Sequence, residues 1–143
     1  MKIKWFVSES PIRRELEDLP DEIARRTLEL LNPGWGNGYV CLPPEHPCYG
    51  MSYRAIYKDY GAVEFDVELT FSNFVSRDTF PQLPPGCEIY WIVGFDTAHA
   101  WDSMARWPKI KVEEAARGLA ENFEGIRVER QRKPDHPEER QPE

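Results

Sequence analysis

The chain has 143 residues, a formal net charge of −7 from 18 Lys+Arg against 25 Asp+Glu, and 41% apolar residues. That length suits one domain with or without a tail, and the apolar share supports a packed core, which excludes wholesale disorder. The acidic balance argues against gripping a nucleic-acid backbone, which takes Lys and Arg to displace counterions. The longest near-continuous apolar stretch, residues 90–95, excludes a membrane-spanning helix.

Residues 2–7, Lys-Ile-Lys-Trp-Phe-Val, have the composition of a short strand, and their apolar run is too short for a signal peptide. Ser10-Pro11 is a helix start, with serine as cap and proline in the first turn, and Ile12, Leu16 and Leu19 follow at spacings of four and three. A second helical pattern begins near Asp18 or Pro20 and puts Ile23, Thr27, Leu30 and Leu31 on one face, until Asn32-Pro33-Gly34 stops it. Residues 39–42 predict another short strand. They run into Pro43-Pro44-Glu45-His46-Pro47, where the missing proline N–H groups forbid a ladder. Residues 51–57 predict a short helical turn or loop.

The clearest periodicity spans 63–71. Val63, Phe65, Val67, Leu69 and Phe71 alternate with Glu64, Asp66, Glu68 and Thr70, the period of a strand with one face on a core. A long connection over 72–86 follows. The uniformly apolar stretch 89–95 then predicts an interior strand. Residues 96–109 are irregular and Trp-rich. Val112, Ala115, Ala116, Leu119 and Phe123 form the apolar stripe of a helix over 111–123. Residues 127–143 hold five basic and five acidic residues with three prolines, which predicts a flexible charged tail and leaves the −7 on residues 1–126. The fold expected is therefore one α+β domain over 1–126. Its mainly antiparallel sheet, with strands near 2–7, 39–42, 63–71 and 88–95, packs against two or three helices at 11–31 and 111–123. The 63–71 apolar face and the 112–123 stripe should share one core.

The three cysteines, Cys41, Cys48 and Cys87, are an odd number and fit a reducing compartment, the cytoplasm. Cys41, His46, Cys48 and Cys87 could be imagined around zinc, but Cys41 and Cys48 are seven apart, wider than the usual ligand pairing. Small buried thiols are the plainer expectation.

Three constellations could carry chemistry. Asp96, His99 and Asp102 follow the end of an apolar strand at spacings of three, where loops present functional groups. Carboxylates with an imidazole can hold a divalent metal or form an acid/base pair; they can equally cap a turn and bond backbone carbonyls. Glu64, Asp66 and Glu68 point the same way at roughly 7 Å intervals if the segment is extended. That is either a solvated face, an acidic surface for a basic partner, or, through Asp66, part of a metal site. Finally, prolines stiffen the loop holding His46 and Tyr49, which leaves His46 either exposed on a rigid connection or placed beside His99. Phosphate-binding glycine loops, the serine-hydrolase elbow and the paired-histidine zinc helix are absent from the sequence.

His46-Pro47-x-Tyr49-Gly50, then Leu69-Thr70-Phe71-Ser72, then Gly94-Phe95-Asp96-x-Ala98-His99-x-x-Asp102 resemble a family of small uncharacterised bacteriophage and prophage proteins, which has these blocks in this order before an amphipathic helix. With Gly38-Tyr39-Val40 and the helix, the resemblance covers residues 38–123. The family has His-Gly-Gly before the Leu-Thr block where this chain has Asp66-Val67-Glu68, a change that keeps a metal-ligating side chain and loses the two glycines. The resemblance implies phage origin and no particular activity.

Two functional expectations follow. In the first, a small acidic phage accessory protein binds a host partner, plausibly of a defence system, through Glu64, Asp66 and Glu68 with Trp101 and Trp107 as aromatic anchors. In the second, Asp66, Asp96, His99 and Asp102 gather at the sheet end around a divalent metal. They would make a hydrolase or nucleotide binder, with His46 and Tyr49 as lid or proton donor.

Overall fold

A computed structural model describes residues 2–10, 18–31, 34–97 and 105–126, with the backbone alone for 28–31. The elements are β1 (Lys4–Glu9), α1 (Asp21–Leu31), β2 (Gly36–Leu42), α2 (Tyr53–Asp59), β3 (Phe71–Asn73), β4 (Trp91–Phe95) and α3 (Lys109–Glu124). The strands form one antiparallel sheet in the order β1-β2-β4-β3, so the chain is an α+β protein. Among the described residues no helix is long and apolar enough to cross a membrane. The expected helix start at Ser10-Pro11 and the expected tail at 127–143 lie outside the described residues.

Strand alternation sends the sheet's side chains into two cores. Ile3, Val40, Leu42, Val93 and Phe95 face α3, which brings Val112, Ala116, Leu119, Ala120 and Phe123 at spacings of three and four. Phe6, Tyr39, Cys41 and Ile92 face the other way and are covered by the connection after β3, through Leu83, Cys87, Phe80 and Val75. The Phe6 and Tyr39 rings stack at 5.0 Å, and Phe80 meets Tyr39 edge-on at 5.1 Å. Gly94 lies beneath that cluster, where a Cβ would run into the Tyr39 ring. Both faces being covered explains why β4 and the 39–42 half of β2, the interior strands, are apolar on both faces.

The connection that covers the second face has no regular structure, and one side chain organises it. The Arg77 guanidinium donates to the carbonyls of Leu83 and Pro84 and to the Glu88 carboxylate. The adjacent cation holds the Glu88 carboxyl below the usual carboxylate range. On the opposite face, His46 is buried rather than exposed. Its Nδ1 accepts from the Cys48 amide at 3.0 Å, which leaves Nε2 protonated to donate to the Phe123 carbonyl at 2.8 Å. That carbonyl belongs to the last turn of α3, where it also accepts from Ile126 N–H at 3.1 Å, so the imidazole is its second donor. Burial pushes the His46 pKa down, only partly opposed by the bond to Phe123.

The strand expected at 63–71 is the main correction. Only Phe71 of that stretch is in a strand, and residues 63–70 are outside the sheet. The alternation is nevertheless real: Val63, Phe65, Val67 and Leu69 pack on the core shared with α3, while Glu64, Asp66 and Glu68 are exposed. Period two reports an extended chain with one buried face, not the partner of its backbone. Here the amides find other acceptors. Asp66 N–H donates to the Asn122 side chain at 2.9 Å and Leu69 N–H to the Tyr57 hydroxyl at 2.7 Å, whereas Thr70 N–H, next to β3, already reaches the β4 carbonyl of Gly94 at 2.9 Å. Residues 51–57 resolve into the start of α2, capped by the Ser52 hydroxyl, which accepts from Ala55 N–H at 3.1 Å.

Candidate functional site: an acidic ridge over the last helix

The segment 63–70 lies along α3 and is fixed from both sides. Its apolar residues enter the core, and Phe65 rests against Phe123 with ring centroids 5.1 Å apart. Asn122 holds the Asp66 backbone, and Tyr57 from α2 holds Leu69. The Asp66 carboxylate sits over Gly118, on the side where a Cβ would be. Gly118 is thus the seat that lets the segment approach the helix closely. Helical spacing puts Glu114 and Glu121, both exposed, one turn either side of that seat. Glu64, Asp66 and Glu68 therefore form an exposed acidic row on a backbone tied to two helices, with the Asp66 carboxylate turned onto α3 and Glu114, Arg117 and Glu121 following one another on that helix face.

The expected metal cluster is not assembled by the members that are described. Asp66 rests on α3. Asp96 instead accepts from the Thr70 hydroxyl at 3.3 Å and lies near Tyr39, whose ring belongs to the core on the other face of the sheet. His99, Asp102 and Trp101 lie outside the described residues. Among the described residues, no three His, Cys, Asp or Glu side chains are grouped to hold a metal ion. The zinc arrangement fails for a plain reason: Cys41 and Cys87 are on one face of the sheet, and Cys48 with His46 on the other.

His46 and Tyr49 are both committed to backbone carbonyls. Tyr49 donates its hydroxyl to the Ile89 carbonyl at 2.7 Å and meets Phe74 edge-on at 5.8 Å. The His46-Pro47-x-Tyr49-Gly50 block thus pins one loop to α3 and to the entry of β4. Trp107 is half-buried and not the exposed anchor expected. Its ring packs 6.0 Å from Phe95, and its carbonyl accepts from Trp35 N–H at 2.8 Å.

Sequence reasoning did not single out Asn122, Tyr57, Gly118 or Arg77. Gly118 carried a signal, since an isolated glycine inside a helical pattern marks close approach. The other side chains carried none, because their partners are distant in sequence. Matches to family models, to curated proteins and to solved structures were sought, and none was found.

Proposed function

We propose that the protein is a phage-type accessory protein that acts by binding a basic surface on a host protein, a component of a defence system, through the ridge of Glu64, Asp66 and Glu68. The observation that carries this reading is the exposed row of acidic residues on a segment whose backbone is anchored by Asn122 and Tyr57. An anchored row presents its charge without first being ordered, which lowers the entropic cost of association. An exposed acidic row complements a basic partner and speeds encounter with it. The net charge of −7 and the block resemblance to phage proteins support the same reading. The place of action is then the host cytoplasm.

The alternative, a divalent-metal hydrolase or nucleotide binder, draws less support: Asp66 and Asp96 are tied to different faces, and His46 and Tyr49 to carbonyls. The test is expression of the wild-type chain and of the Glu64→Lys/Glu68→Lys variant in hosts carrying defined defence systems, with phage plating efficiency as the readout. The wild type should raise plating on at least one such host and the folded variant should not. No change on any host, or equal rescue by the variant, contradicts the reading.

A further inference from the structure

Cys41 and Cys87 are the two thiols of the core beneath the cover, fully buried in the same six-residue cluster. Their backbones differ in freedom. Cys41 is in β2, laddered to Lys4 on one side and Ile92 on the other. Cys87 is in a chain of turns, its amide bonded to the Pro84 carbonyl and its carbonyl to Tyr90 N–H, just after Gly86 at φ +82°. The movement that would close the gap to the 2.03–2.05 Å of a disulfide therefore falls to Cys87. Cys48, on the other face of the sheet, is shielded from both.

We propose that Cys41 and Cys87 are a reversible thiol–disulfide modification site that fastens the cover over 74–90 to the sheet. The co-reactant is a small disulfide of the glutathione class. Cys87, with Lys4 and Arg77 nearby and Glu88 opposing them, loses its proton and attacks one sulfur of that disulfide, releasing one small thiolate and leaving a mixed disulfide. Cys41 then loses its proton and attacks the Cys87 sulfur, releasing the second small thiolate. One S–S bond has formed and one has broken, two electrons have passed to the small disulfide, and the two protons end on the released thiols. Burial raises the pKa of both thiols, which keeps them inert while the cover is closed and ties reaction to its opening. This fits the pattern of cytosolic disulfides, which are transient and redox-sensing where they occur. The inference is independent of the acidic ridge, which lies on the other side of the sheet.

The experiment is titration of the folded full-length protein with oxidised glutathione, read by intact mass, by peptide mapping and by trypsin cleavage at Arg77. The expected product has lost two hydrogen atoms, carries a Cys41–Cys87 linked peptide, is cleaved more slowly at Arg77, and reverts with dithiothreitol. Cys48→Ser should behave as wild type, whereas Cys87→Ser should give no linked product. Thiols that stay reduced in the folded protein, a persistent glutathione adduct on Cys87, a link involving Cys48, or a link formed only in denaturant would each overturn the proposal.

Discussion

Removing the His46 imidazole deletes two buried hydrogen bonds at once, the one the Cys48 amide donates to Nδ1 and the one Nε2 donates to the Phe123 carbonyl, of which the carbonyl alone keeps a second donor, Ile126 N–H. His46→Ala should therefore destabilise the fold by about 1–3 kcal/mol, measured by urea unfolding. The same residue sets a pH trend. Its pKa in the fold is below the ordinary 6.5, so the unfolded chain binds the proton first as the solution is acidified. Its contribution is intact above pH 6.5 and is lost as pH falls from there through the lower folded value. The slope from this one group is at most about 1.4 kcal/mol per pH unit, and His46→Ala should remove that component. Gly118 gives a second residue-scale prediction. In an open helix Gly→Ala stabilises by about 1 kcal/mol, but the Asp66 carboxylate occupies the place of the new methyl. Gly118→Ala should thus stabilise the Asp66→Ala protein more than the wild type, a coupling that a double-mutant cycle in urea would read. Neither the His46 bond, which spans 77 positions, nor the Asp66 seat has a local pattern, so only the glycine hinted at its role.

Among the elements, α1 and α3 were legible from the helical spacing of their apolar residues, and β1, β2 and β4 from short apolar runs bounded by breaks. The 63–71 segment was half legible. Its alternation named the buried side chains, but a chain laid on a helix and a chain laid in a sheet bury the same positions. What separates them is the identity of the amide acceptors, Asn122 and Tyr57, which no periodicity encodes. The segment 74–90 was legible as an irregular connection but not as a cover, since it is held by one guanidinium and a few apolar residues at irregular spacing. Arg77→Ala should loosen that element rather than unfold the protein. Amide exchange should accelerate within 74–90 while β2 and β4 keep their protection, with a global cost of about 1 kcal/mol. Equal acceleration throughout the sheet would mean that the cover and the sheet open as one unit.

For the molecule as a whole, the two cores divide the labour. The face that packs on α3 builds the acidic ridge, and the face under the cover holds the thiol pair. The candidate site was legible as a row of carboxylates and illegible as an anchored structure, and the sequence offered no way to choose between a ridge and a metal cluster. The measurement that tests the central claim most directly is quantitative capture of host proteins by the purified wild type. It is run beside Glu64→Lys/Glu68→Lys and beside a control, Glu9→Lys, on β1, with circular dichroism confirming that all three are folded. The account predicts a protein that binds the wild type and the control, is lost with the double variant, and is released by salt, as exposed charge pairing requires. A partner retained equally by all three, or no protein that distinguishes the wild type from the double variant, would contradict it.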